Sequence, residues 1–269
     1  MGIVVKNVVF NYPDGHCAID DVSLTINAGE KVAIIGQNGA GKTTLVKMMN
    51  NLLRPTKGSV YVDDIDLKTL TTAQISKKVG YVFQNPGDQL FNRTVFDEIA
   101  YNPRYNKLPA DQVKSLVEDA AEVCGITEFL NINPYDLPFA IRKFVTIACV
   151  IAMGSDYVIL DEPTAGQDLD GLKLQSQIID TLIKRNKTII IITHDVDFVI
   201  ENFDRIIVMA NKKIVTDSTI YDVFWDFDVL QRANLKQPHI SRLAHELGLP
   251  KVMSIDDFIK AYTNTDENV

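Results

Sequence analysis

Lys42 and Thr43 close the run GQNGAGKTT, Gly36 to Thr44, whose spacing is G-x-x-x-x-G-K-[ST]. Such a run suits a polyphosphate. Glycines let backbone N–H groups close on phosphate oxygens, and the N-terminus of a following helix adds partial positive charge. Lys42 can then reach the terminal phosphates, and Thr43 can offer a hydroxyl to Mg²⁺. The candidate nucleotide-binding residues are therefore Gly36, Gln37, Asn38, Gly39, Ala40, Gly41, Lys42, Thr43 and Thr44. The bland alternative is a glycine-rich turn that binds nothing, and the strand-like run before it and the helical run after it weigh against that. Two carboxylates, Asp161 and Glu162, end the apolar run YVILDE. Beside a polyphosphate they can divide the labour, Asp161 holding Mg²⁺ and Glu162 polarising the attacking water. His194 follows the apolar run TIIIIT, and Gln84 follows VGYVF. Taken alone, His194 is a structural histidine and Gln84 a loop glutamine, but both sit where a buried strand ends. Gln84 has a neutral side chain able to bond a metal-bound water.

Strands must deliver these groups to one edge. IVVKNVVFNY and DVSLTINAGEKVAIIG read as strands, the second ending in a buried strand over Lys31 to Ile35. Thr43 to Leu53 has a helical pattern stopped by RPTKG, SVYVDDIDL reads as one short strand, and Val79 to Phe83 as another. From Pro86 to about Leu137 the pattern is helical, with Val113, Leu116, Val117, Ala120 and Ala121 on one face. Pro138 suits the first turn of a further helix, whose buried face is Ile141, Phe144, Val145, Ala148 and Ile151 or Ala152. YVILDEP, a helix from about Leu172 to Arg185 and TIIIITHD restore the α/β pattern. RIIVMANKKIVTDS reads as a hairpin turning at Asn211 and Lys212. The fold class expected is α/β, a P-loop NTPase core over 1–217 with an antiparallel β subdomain and an inserted α-helical subdomain at about 86–153. A helical extension over 218–269 follows, broken at Pro238 and Pro250 and frayed at its acidic end TNTDENV.

With 269 residues and 46% apolar composition, the chain can fill a sizeable core. A net charge of −8 provides no basic field for phosphate backbones, so nucleic acid is not expected as a partner. Cys17, Cys124 and Cys149 are odd in number and lack zinc spacing, which suits free thiols in a reducing cytoplasm. The start MGIVVKNVVF alternates like a strand rather than a signal peptide. The longest apolar run, Val145 to Met153, is far short of the roughly 20 residues that span a bilayer, so membrane contact would go through a partner.

Taken in order, these residues resemble the ATP-binding cassette (ABC) ATPases: an aromatic Tyr12, Walker A at Gly36 to Thr43, the Q-loop Gln84, Walker B at Asp161 and Glu162, a D-loop AGQD ending at Asp168, and a switch His194. The resemblance runs over at least Val4 to Thr216. It implies ATP with Mg²⁺, catalytic roles for Gln84, Glu162 and His194, and Mg²⁺ contacts from Thr43, Gln84 and Asp161. It also implies a head-to-tail dimer in which Walker A of one chain faces the signature loop of the other. Tyr12 would stack on adenine, or else be a strand-end tyrosine packed on the core. A narrower resemblance, carried by YVFQNPGDQLFNRTVFDEIAYNP and LKQPHISRLAHELGL, is to the ATPase subunits of energy-coupling-factor transporters of vitamins and transition-metal ions. It implies a second ATPase, a transmembrane coupling protein, a substrate-binding membrane subunit and a peripheral place on the cytoplasmic face of the membrane. The tail would help hold the two ATPases together; HISRLAHELGL also reads as a core-capping helix.

One segment departs from the family. Where L-S-G-G-Q is expected stand Leu137, Pro138, Phe139, Ala140 and Ile141. Proline removes a hydroxyl and a backbone N–H, phenylalanine and alanine block the approach that glycines permit, and isoleucine removes the last polar side chain. Such a degenerate loop should not cradle a γ-phosphate, and losing one transition-state donor alone costs about 10²–10³ in rate. Because signatures act across the dimer, the resemblance implies an asymmetric heterodimer whose partner carries the intact signature. Two other readings stay open: a non-hydrolytic regulatory subunit, and a DNA-repair or chromosome-maintenance ATPase. The latter typically carries coiled-coil or zinc insertions that this sequence lacks. Gln167 stands where the D-loop usually has leucine.

Overall fold

The computed structural model describes residues 1–249 and 251–266. Strands β1 (Gly2–Asn11) and β2 (Cys17–Asn27) pair antiparallel, and β3 (Lys31–Gly36) crosses into a second sheet. Helix α1 (Lys42–Met49) is shorter than its sequence pattern suggests. Asn51 takes a left-handed conformation at φ 60°, and its amide bonds the Leu70 carbonyl at 2.9 Å, so the chain turns away before RPTKG is reached.

SVYVDDIDL is a hairpin rather than one strand. β4 (Lys57–Val62) and β5 (Ile65–Asp66) are joined by Asp63 and Asp64, both at positive φ, a two-residue turn that suits the right-handed twist of its strands. After α2 (Thr72–Ser76) and β6 (Val79–Val82) comes the helical layer, α3 (Val95–Tyr105), α4 (Ala110–Val123) and α5 (Phe139–Met153). The layer rejoins the sheet through β7 (Tyr157–Asp161), α6 (Leu169–Lys184), β8 (Thr188–Ile192) and α7 (Val196–Asn202). α6 starts three residues earlier than its apolar pattern does, because the Asp168 carboxylate accepts the Gly171 N–H at 2.8 Å and caps it. The hairpin of β9 (Arg205–Ala210) and β10 (Lys213–Thr219) turns at Asn211 and Lys212, both at positive φ.

The larger sheet has the order β10-β9-β3-β8-β7-β6 and the smaller β2-β1-β4-β5. Successive residues of a strand point to opposite faces. Val32 and Ile34 of β3 therefore join one core with β1, β2 and α1, while Ala33 and Ile35 join the other with α3 to α6. Burial on both faces explains the unbroken apolar runs of β7 and β8. β3, β8, β7 and β6 are parallel neighbours, so their C-terminal ends, where the candidate residues sit, lie side by side along one sheet edge.

Beyond β10 come α8 (Ile220–Phe224), α9 (Phe227–Ala233), α10 (His239–Glu246) and α11 (Ile255–Asp266). α8 and α9 pack on the main core, whereas Ala244, Leu249 and Val252 form a small separate one. Pro238 caps the start of α10. The break expected at Pro250 and the last residues of the acidic end lie outside the described residues. Among the described residues no helix is long and apolar enough to cross a membrane.

Candidate nucleotide site

The loop after β3 is possible only for its sequence. Gly36 sits at φ 140°, and a Cβ there would lie 1.9 Å from the Met209 carbonyl oxygen. Gly41, at φ 101°, is the N-cap of α1, where a Cβ would lie 2.5 Å from the Ala18 carbonyl oxygen. Lys42 Nζ folds back on the loop, donating to the carbonyls of Gly36 at 2.7 Å and Gln37 at 3.1 Å. Burial depresses the Lys42 ammonium, while the carboxylates of Glu162 and Asp161 pull it back up.

A cleft of about 310 Å³ opens over this loop, lined by Tyr12, Asn38 to Thr44, Gln84, Glu162 and His194, with His16 and Ala18 of the first hairpin. Tyr12 lies at the cleft and packs within its own hairpin. Its hydroxyl lies 3.0 Å from Thr44 Oγ1, and its ring packs edge-on against Phe10 with centroids 5.0 Å apart.

Asp161 ends β7 with its oxygens divided between two partners. Thr43 Oγ1 donates to one at 3.3 Å, and the buried Tyr81 hydroxyl donates to the other at 2.6 Å. Burial and the Asp161 charge push the Tyr81 phenol upward, so it stays a donor. Glu162 occupies the left-handed region at φ 50°, a conformation that costs a non-glycine residue on the order of 1–3 kcal/mol. Its N–H donates to the Ile192 carbonyl at 2.8 Å, and its own carbonyl accepts a very short bond from Lys143 Nζ. The carboxylate accepts the His194 backbone N–H at 3.3 Å and lies 3.1 Å from His194 Nε2. Burial raises the Glu162 carboxyl above the ordinary carboxylate range. Burial and the Lys42 charge lower His194, which favours the neutral form of its imidazole.

Against known proteins, a family model described as ABC transporter matches residues 19–165. The chain is 40% identical to a Pyrococcus furiosus protein assigned as an ABC transporter ATP-binding protein, over 96% of this chain and 98% of that one. It is 38% identical to the energy-coupling factor transporter ATP-binding protein EcfA of Methanocaldococcus jannaschii, over 90% of this chain and 87% of that one. The chain belongs to the ATP-binding cassette family. Among solved structures, cbiO1 of Clostridium perfringens, described as part of the ABC transporter complex cbiONQ, superposes with a TM-score of 0.78 at 32% identity, covering 90% of this chain and 98% of that one. A dimeric ATP-binding cassette in a post-hydrolysis state, bound to ADP and Pi, gives 0.74 at 25% identity, covering 81% and 98%.

As an ABC ATPase the chain binds ATP, and the cleft over Asn38 to Thr44 is the concave site available to its phosphates, with Gly36 and Gln37 of the loop outside its lining. Leu137 to Ile141 lie outside that cleft, at the start of α5, where Pro138 is the N-cap rather than the first helical residue. Gln167 has a visible partner: its Nε2 donates to the Ala140 carbonyl at 3.1 Å, joining the D-loop to that same turn. Asp168 also lies outside the cleft, as the cap of α6. Sequence reasoning missed Tyr81, Lys143 and His16. The signal for the first two was present: one tyrosine within a buried strand, and one lysine followed by twelve residues with no other charge.

Proposed function

We propose that this ABC ATPase powers an importer of the energy-coupling-factor type for a vitamin or transition-metal ion, as one half of an asymmetric heterodimer. Its second ATPase carries an intact L-S-G-G-Q, and both sit on the cytoplasmic face under a transmembrane coupling protein that serves a substrate-binding membrane subunit. The likeness to EcfA and to cbiO1 supports the transporter class.

One contrast carries the reading: Lys42, Thr43, Gln84, Asp161, Glu162 and His194 meet at one sheet edge, while α5 opens with Pro-Phe-Ala-Ile. A subunit relieved of hydrolysis has no chemical need of a carboxylate held at φ 50° beside a histidine. Glu162 would accept a proton from the attacking water, and His194 would keep the carboxylate aimed. Thr43 and Asp161 offer hard oxygen donors that fit Mg²⁺; among the described residues no cluster of three or more His, Cys, Asp or Glu could hold a metal, so phosphate oxygens would complete the shell. When bound there, Mg²⁺ neutralises charge on the transferred phosphoryl group.

Co-purification with a paralogue bearing L-S-G-G-Q, followed by ATPase measurement with Glu162→Gln here and the matching change there, tests the reading. The change here is expected to dominate. Rapid hydrolysis by the chain alone, indifferent to substitutions over 138–141, sinks it. A non-hydrolytic regulatory subunit is the second reading, favoured by the glycine-free turn; it requires Glu162→Gln to leave turnover of the complex intact.

A further inference from the structure

The turn that departs from the family is fastened to its own chain's catalytic loop, and Lys143 is the centre of that fastening. Lys143 is 2% exposed, and its ammonium donates to the Glu162 carbonyl. The Phe139 ring covers the same ammonium at 5.4 Å and also rests on the D-loop, where a Cβ on Gly166 would lie 3.2 Å from its Cδ1. Gln167 Nε2 bonds the Ala140 carbonyl from the other side. Three contacts thus join the first turns of α5 to the segment running from Glu162 to Gln167. None of the turn residues Pro138 to Ile141 lines the phosphate cleft.

The carbonyl of Glu162 has a particular need of such a donor. In the left-handed region the residue is disfavoured for any side chain bearing a Cβ, so the surroundings must hold it. The Ile192 carbonyl takes its N–H, and Lys143 takes its C=O. With both peptide groups fixed, the backbone that carries the carboxylate is held, and the carboxylate lies against His194. A bond from an ionised donor is also stronger than a neutral one, and a ring over the ammonium keeps water from competing for it.

We propose that Lys143 is a positioning residue for ATP hydrolysis, fixing Glu162 in cis through its carbonyl while Phe139 shields the contact. The proposal rests on Glu162 being the general base, as argued above. The segment that cannot serve a partner's γ-phosphate retains this work for its own site.

The test measures steady-state ATPase in whichever assembly turns ATP over, the full chain alone or paired with its paralogue. In the pair, the paralogue's own base is changed to Gln so that only this site reports. Lys143→Met, which keeps length but loses the donor, is expected to lower kcat at least 30-fold with KM for ATP within about twofold. Lys143→Gln, which restores an N–H donor, should recover most of the rate. Phe139→Ala, at a position 42% exposed, should lower kcat severalfold at unchanged KM and remains informative if Lys143→Met does not fold. A kcat within twofold of wild type in Lys143→Met or in Phe139→Ala overturns the proposal. So does an equal loss in the Met and Gln variants accompanied by a rise in KM, the mark of a merely structural lysine. Glu162→Gln is measured alongside: full activity there defeats the reading of Glu162 itself, whatever Lys143 does.

Discussion

At the scale of residues, the site is a set of groups held by partners from other elements: Asp161 by Thr43 and Tyr81, Glu162 by Lys143 and the β8 end. Glu162 titrates above an ordinary carboxylate because it is buried. A base must be ionised to act, so falling pH removes activity earlier than an unshifted carboxylate would. The acid limb of kcat is expected above the usual value of 4.5, and a pH–rate profile locates it. Glu162→Gln should lower kcat at least 100-fold across the profile while ATP still binds. Tyr81 makes a second prediction. Its hydroxyl fixes one oxygen of Asp161, and removing a group that orients a metal ligand typically weakens the metal about tenfold. Tyr81→Phe should therefore raise the Mg²⁺ concentration needed for half-maximal ATPase by about that factor, with the rate recovering at high Mg²⁺.

At the scale of elements, the strand ends and helix caps decide which groups meet. The apolar runs before Gly36, Asp161 and His194 were legible as strands because burial on both faces leaves no polar positions in them. Short-range turn chemistry was less so: the Asp63–Asp64 turn reads as ordinary strand polarity until its positive φ values are seen. Asp168, read as a D-loop residue, is the N-cap of α6. Asp168→Ala is expected to cost about 1 kcal/mol and to lower Tm by about 2–4 °C, with Asp168→Asn losing less, measured by thermal unfolding. Gly36→Ala is the harsher test of this scale. Its Cβ would collide with the Met209 carbonyl across the β3–β9 pair, so the variant should lose ATP binding, read by a fluorescent nucleotide.

At the scale of the whole molecule, the chain is read as half of its working assembly. Leu243 of α10 and Leu247 at its C-cap are exposed while Ser241 and Ala244 are buried, so that helix both caps its small core and leaves apolar groups at the surface. The sharpest whole-molecule prediction concerns the turn at 138–141. Rebuilding it as Pro138→Ser, Phe139→Gly, Ala140→Gly and Ile141→Gln should raise ATPase of the chain alone at least tenfold, since two copies could then supply each other's missing donors. No gain over Phe139→Gly alone would mean that the turn does not limit turnover.

The sequence by itself determined the phosphate loop, the strand-end carboxylates and histidine, and the absence of glycine at 138–141, because those follow from residue type and local spacing. Only the tertiary structure decided what holds Glu162. Lys143 lies 19 positions away in the chain, and nothing in the local pattern of either residue specifies that a helix start and a strand end must touch. That contact is set by how α5 packs against the sheet, which is a property of the filled core rather than of any one segment.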